Sequence, residues 1–395
     1  CADVTGVQTC ALPISVLLTI QAACNIGGLE SHVHRAPTEW LHIGDAAMTN
    51  RITALMAGVV FGTLSFNAFA WDHPGHMTTA NIAFAEIERV RPELIEKLGL
   101  LFLAHPDPAP FWVAAGEAKG EERARRMFLE CARWPDDSKF TNNDRLTWHT
   151  ARWAVLSKDA PPEAHEAVAA RKGKPWGQGI EALELTYGML SNPESSPTER
   201  AWALCWMMHV LGDVHQPMHV TDIFSKQFPA GNMAGSMGYV MDPVTESPIT
   251  LHILWDSNAL RVPTLDAVGG HAAEFMKKYP RSAFPELQAH PMSEPDFFRT
   301  WAKESNQVAV DWAADLDMAV DPDKDQTSDE LVKKMVNFIL NGVSPIDDAP
   351  DLPDGYWDNL QMTAERRIAL AGYRMADLIL EAADEIEAQR QFVGR

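Results

Sequence analysis

The chain has 395 residues, 46% of them apolar, which is enough to bury a sizeable core, and it carries a formal net charge of −21. That charge argues against a broad basic groove for nucleic acid, but leaves room for a small anionic substrate held by metal ions. No stretch past residue 71 has the run of about eighteen apolar residues that a membrane span needs.

Residues 48–70 read as a secretory signal peptide. Met48-Thr-Asn-Arg51 is a basic start, Ile52 to Ser65 a short apolar run, and Phe66-Asn-Ala68-Phe-Ala70 an Ala-x-Ala end that places cleavage between Ala70 and Trp71. The run is too short for a membrane anchor and ends in a cleavage pattern. Upstream, Thr5-Gly-Val-Gln-Thr-Cys-Ala-Leu-Pro-Ile14 resembles translated sequencing adapter, so residues 1–47 read as non-native upstream translation. The expectation is a secreted or periplasmic protein whose one domain is 71–395.

From Trp71 onward the pattern is helical. His76, Thr79, Ala80, Ala83, Phe84 and Ile87 predict a helix from about Met77 to Arg91. Pro92 opens a short helix through Leu98, with Gly99 as its stop, and residues 104–112 form a Pro-rich loop. Glu117 to Ala132 is an amphipathic helix that Trp134-Pro-Asp-Asp137 breaks. Pro161-Pro162-Glu163 starts a helix that Lys172-Gly-Lys-Pro175 stops, and 177–190 supplies another. The loop from Ser191 to Pro197 caps a long helix from Thr198 to His215. Residues 226–248, with Gly231, Gly235, Gly238 and Pro243, predict a long loop or small hairpin. Helices follow at 250–259, 266–279, 294–314 (striped by Trp301, Ser305, Val308 and Trp312), 329–341 and 358–390. The sum is a mainly α fold, a single multi-helix domain with a small irregular or hairpin insertion. Cys131 and Cys205 are open to a disulfide or to buried free thiols.

The chemistry concentrates in Trp206-Met-Met-His-Val-Leu-Gly-Asp-Val-His-Gln-Pro-Met-His219. His209 and Asp213 lie four apart, so a helix points both side chains the same way, as half a zinc site requires. A plain core helix has no use for three histidines and an aspartate beside its buried stripe. Left unpaired there, each would cost roughly 2–7 kcal/mol. His252 and Asp256 repeat the spacing, and with His219 they make a multinuclear metal site the stronger reading. Asp136, beside Trp134-Pro135, and His149, after Trp148, complete the set, although Trp148-His149 alone would read as a satisfied core histidine.

The combined pattern His-x-x-x-Asp-x-His-Gln-Pro-x-His followed by Leu-His-x-x-Trp-Asp resembles the zinc-dependent, single-strand-specific nucleases of the S-one/P-one type, whose fold is shared with bacterial zinc phospholipase C. The start Trp71-x-x-x-Gly-His76, Trp134-x-Asp136, Trp301-Ala-Lys-Glu-Ser305 and Ala364-Glu-Arg-Arg-Ile-Ala-Leu-Ala-Gly-Tyr-Arg374 resemble the family as well, so the likeness runs over the whole chain from Trp71. It implies three zinc ions. The first set is Asp136, His149, His209 and Asp213, and the second is His219, His252 and Asp256. The third is the Trp71 amine and carbonyl, His76 and the other oxygen of Asp213. His215 is left as a supporting residue, and Pro217 ends the helix so that His219 can serve another metal. The implied reaction is hydrolysis of single-stranded DNA or RNA to 5′-phosphates, with Asp136 orienting the attacking water and with 3′-nucleotidase activity as an extension. Lys139 stands where the family meets the phosphate with a basic residue, and Arg152 where it often has an acid near the base. Trp148, Trp153 and Phe140 are stacking candidates. The implied protein is a monomer without protein partners. The competing readings are a phospholipase C of the same fold, from which Asp256 in place of glutamate distinguishes it, and an inactive secreted zinc-binding protein.

Overall fold

The first helix begins four residues before the apolar pattern places it, at His73. The computed structural model describes residues 71–139, 141–257, 264–289, 292, 296–320, 344 and 346–393; the helix predicted over 329–341, Phe140 and the first 70 residues lie outside them. Helix α1 runs His73–Val90, and Asp72 caps it by accepting from the Gly75 amide at 3.2 Å. Asp-His-Pro looks like a turn in sequence but is a start signal, an N-cap followed by a proline in the first turn.

Helix α2, Glu93–Phe102, continues through Gly99. A Cβ there would lie 3.0 Å from that of Ala124, so this glycine allows close helix packing and does not stop the chain. The Pro-rich segment turns into α3, Ala109–Ala115. Helix α4, Gly120–Asp137, runs on through Pro135 instead of breaking at Trp134. The proline gives up the amide bond to the Cys131 carbonyl, and the helix ends two residues further on. The continuation carries Asp136 on the last turn. A 3-10 turn, Leu146–His149, leads into strand β1, Trp153–Leu156, and then α5, Pro162–Ala170, and α6, Gly179–Ser191.

Helix α7, Pro197–His215, is the axis of the fold. Ser196 and Glu199 close a full capping box at its start. Every residue from Ala203 to His215 is buried, as expected of a helix apolar on all faces and surrounded by others. Its neighbours are α4, α6 and the later helices α11, Phe297–Trp312, and α12, Tyr356–Val393. A disulfide joins Cys131 on α4 to Cys205 on α7, settling the question the spacing left open. On α11, Trp301 and Ser305 are buried, but Trp312 is exposed and leaves the predicted stripe.

After α7 the chain forms a 3-10 turn, Pro217–Val220, and strand β2, Thr221–Phe224, which pairs in parallel with β1 from Trp153↔Thr221 to Leu156↔Phe224. The expected hairpin is β3, Tyr239–Asp242, against β4, Ser247–Thr250. Helices α8, Leu251–Ser257, α9, Leu265–Lys278, and α10, Glu286–Ala289, complete a mainly α fold. Among the described residues no helix is long and apolar enough to cross a membrane.

Candidate metal centre

Four helices deliver six of the candidate ligands: α1 brings His76, the end of α4 Asp136, α7 His209 and Asp213, and α8 His252 and Asp256. The two 3-10 turns contribute His149 and His219. The parallel strand pair holds those turns together, because the Ala151 amide donates to the His219 carbonyl at 3.0 Å. His76 lies flat on His209, ring centroids 3.9 Å apart. Gly212 makes room for this, since a Cβ there would sit 2.8 Å from His76 Nδ1.

Three groups result: His76–His209–Asp213, Asp136–His149–His209 and His219–His252–Asp256. Within each, the candidate ligand atoms lie within 4.8 Å of one another, and every residue is buried. Asp213 is divided between two of them. Its Oδ2 is 3.2 Å from His149 Nδ1 and 3.6 Å from His209 Nε2, while its Oδ1 is 3.4 Å from His76 Nε2. Asp256 faces His252 Nε2 at 3.3 Å and His219 Nε2 at 3.7 Å.

The backbone fixes how three of the rings present themselves. His209 Nδ1 donates to the Ala132 carbonyl at 2.8 Å, His219 Nδ1 to the His149 carbonyl at 2.6 Å, and His252 Nδ1 to the Ala234 carbonyl at 2.7 Å. A ring whose Nδ1 carries the proton has its lone pair on Nε2, and in all three Nε2 points into the centre. The Ala234 carbonyl is presented by a strained loop in which Met233 and Ala234 both adopt left-handed backbone, φ 51° and 62°.

The donor set fits a divalent cation. Asp213 Oδ1, Asp256 Oδ2, Asp136 Oδ2 and both His76 nitrogens are buried without a hydrogen bond, an arrangement that is costly unless a cation takes up the lone pairs. Burial pushes His76 and His149 well below the usual imidazole range and His209 down to about 4, which keeps all three neutral, the ligating form. Burial also pushes Asp213 and Asp256 well above the carboxylate range; a dication would reverse that preference. At Asp136 burial opposes ionisation, but the Lys139 ammonium, 2.6 Å from Oδ1, holds the carboxyl well below its usual value.

The structure thus brings together His76, Asp136, His149, His209, Asp213, His219, His252 and Asp256, with Lys139 buried against Asp136. Trp71 is fully buried, and the amide of Asp72 donates to the Asp256 carbonyl at 3.2 Å, tying the segment before α1 to α8. His215 stands outside all three groups: its Nδ1 donates to Leu211 O, and its Nε2 receives Arg374 Nη1 at 2.9 Å. Trp153 is core and Trp148 packs on Trp202 and Trp206. Arg152 and Arg171 flank Trp176, at 5.6 and 4.7 Å from its ring. Sequence reasoning missed Gln216. Its Nε2 donates to Asp256 Oδ1 at 2.5 Å, and its Oε1 accepts the Met218 amide, so it both orients a candidate ligand and closes the turn that presents His219. A glutamine between two histidines at a helix end was the available signal.

A helical frame closing on three adjoining groups of histidine and carboxylate defines a protein built around a candidate multinuclear metal centre. More narrowly, the chain belongs to the S1/P1 nuclease family, whose model, "S1/P1 Nuclease", matches residues 71–384. It is 26% identical over 253 residues to "Nuclease S1" of Aspergillus oryzae, which covers 62% of this chain and 75% of that protein. With "Nuclease P1" of Penicillium citrinum it shares 23% over 255 residues, 63% of this chain and 82% of the relative. Family membership supports a nuclease, a hydrolase of nucleic acid.

Proposed function

We propose that the protein hydrolyses phosphodiesters of single-stranded DNA or RNA to 5′-phosphate products using three zinc ions, with 3′-nucleotidase activity on the same centre. The observation that carries the reading is the divided carboxylate of Asp213, with one oxygen toward His149 and His209 and the other toward His76. Asp136, His149, His209 and Asp213 would hold one ion, and His219, His252 and Asp256 a second. His76 and Asp213, with the Trp71 amine and carbonyl, would hold the third. When bound, zinc supplies the positive charge that polarises phosphoryl oxygens and makes water acidic.

The chain's own residues do the rest. Asp136 accepts a hydrogen bond from the attacking water and aims it at phosphorus. Lys139 places a compact charge beside Asp136, where a phosphate oxygen enters. The neutral imidazoles keep their lone pairs inward, and burial of the centre removes competing water. An overall acidic chain suits single strands and short ends better than long duplex. In this reading residues 48–70 are a signal peptide and 71–395 the domain. Cleavage before Trp71 frees the amine that the third ion needs, and the protein acts as a monomer outside the cytoplasm.

The test combines N-terminal sequencing and metal analysis of the protein with assays on denatured DNA, RNA and lecithin, before and after chelation. We expect Trp71 as the first residue, three zinc ions, and nuclease activity that chelation abolishes. Activity surviving complete removal of metal would sink the scheme. Lecithin cleavage in place of nucleic acid would transfer it to the phospholipases.

A further inference from the structure

The stretches Trp301–Ser305 on α11 and Ala364–Arg374 on α12 hold buried charge that touches none of the candidate ligand side chains. Glu304 receives Arg374 Nη2 at 2.7 Å and Arg367 Nη1 at 3.1 Å. Arg367 and Arg374 are 3% and 1% exposed. Removing such groups from water is costly, and an apolar trio could fill the same space. The arrangement therefore calls for a reason beyond filling volume.

The partners of these groups supply one. Arg367 Nε donates to the His215 carbonyl at 3.2 Å, and its Nη2 donates to Ser305 Oγ at 2.5 Å. Ser305 Oγ donates in turn to the Val214 carbonyl at 2.6 Å. Both carbonyls belong to the last turn of α7 and lack intrahelical partners. Arg374 holds the His215 ring through Nε2 at 2.9 Å. Past the turn, Asn306 Nδ2 donates to the Val220 carbonyl at 3.1 Å and to Thr221 Oγ1 at 2.9 Å. The two helices therefore grip the chain on both sides of residues 216–219, the segment that carries Gln216 onto Asp256 and presents His219.

We propose that Arg367 and Arg374, bridged by Glu304 and joined by Ser305 and Asn306, are positioning residues for the His219–His252–Asp256 metal site. They fix the direction in which the chain leaves α7, and so decide whether Gln216 and His219 reach Asp256 and the cation together. This rests on the reading of those three residues as zinc ligands. Residues of this supporting kind change metal affinity by about 10–100-fold in other sites.

The experiment titrates the zinc-loaded full chain with a chelator and counts the zinc retained. Arg367→Met, Asn306→Ala and His219→Ala are compared with the unaltered chain, and helical circular dichroism is followed in parallel. We expect Arg367→Met to release one zinc per chain at about tenfold less chelator while the remaining zinc and the helical signal match the unaltered chain. In the His219→Ala background the same substitution should have no further effect, which a general loss of stability would not reproduce. Arg367→Lys, which keeps the charge without the fork, should fall between. The proposal is overturned if Arg367→Met and Asn306→Ala hold zinc as the unaltered chain does, or if all zinc leaves in step with the helical signal. Should Arg367→Met fail to fold, Asn306→Ala decides by the same criterion. Full zinc retention by His219→Ala would instead overturn the ligand assignment.

Discussion

Asp213→Asn is the most informative single change, because it acts with opposite signs on the metal-loaded and metal-free protein. The amide keeps the shape of the side chain but removes the charge from an oxygen 3.2 Å from His149 Nδ1 and from one 3.4 Å from His76 Nε2. Taking one partner from a buried charge pair costs about 3–5 kcal/mol. At about 1.4 kcal/mol per factor of ten, that is roughly a hundred- to several-thousand-fold in affinity for each ion involved. Two ions should weaken and the one at His219–His252–Asp256 should remain. Without metal the same carboxylate is fully buried, with Oδ1 lacking a hydrogen bond. Replacing it by a neutral amide relieves that cost, so the chelated variant should unfold at higher urea than the chelated parent. Zinc stoichiometry after dialysis against a graded chelator reads the first effect, and urea unfolding in excess chelator reads the second. Retention of all zinc at the parental chelator concentration would refute the bridging role. A chelated variant weaker than its chelated parent would refute the charge argument.

Other perturbations separate the centre from its frame. Gly212→Ala would place a Cβ 2.8 Å from His76 Nδ1, so we predict selective loss of the ion that depends on His76, read as zinc per chain, with His219-dependent zinc retained. Burial pushes Glu130 from 4.5 up to about 7. Below about pH 4.5 the side chain is protonated folded or unfolded; as pH rises towards 7 the unfolded chain loses its proton first and stability falls. Glu130→Gln escapes this, so its advantage in unfolding free energy, read by urea titration, should grow from nothing at pH 4 to an upper limit of roughly 3 kcal/mol above pH 7. The Cys131–Cys205 bridge spans 74 residues, and by the loop-entropy relation its reduction should cost about 4 kcal/mol, measured by urea unfolding with and without reductant.

The candidate ligands were legible because their signal is local: His209 with Asp213 and His252 with Asp256 share a helical face by spacing alone. The start of α7 was legible for the same reason, from the loop Ser191 to Pro197 whose end caps it. What local pattern could not supply was set by tertiary contact. Gly99 reads as a stop until Ala124 packs on it. Pro135 reads as a break until the helix is seen to end just beyond it. Strands β1 and β2 are four residues each and exist because they pair with each other, 68 positions apart in register. Likewise Gln216, and the carbonyls of Ala132, His149 and Ala234, reveal their roles only once the side chains they orient are in place.

That last group explains why His215, two residues from Asp213, stands outside the three candidate groups. An imidazole is best set up as a ligand when one nitrogen is bound to an acceptor and the other is left open towards the cation. His209, His219 and His252 meet both conditions, each with Nδ1 on a carbonyl and Nε2 facing a carboxylate. His215 meets the first through Leu211 but not the second, because Arg374 donates into its Nε2. Removing that donor opens the nitrogen but does not turn it. A side chain on the opposite face of α7 from Asp213 stays among α11 and α12, where Trp301 and Arg374 surround it. The division of labour between neighbouring histidines therefore follows from where α7 points each ring and from what the facing helix offers it, an acceptor-lined centre on one side and a guanidinium on the other.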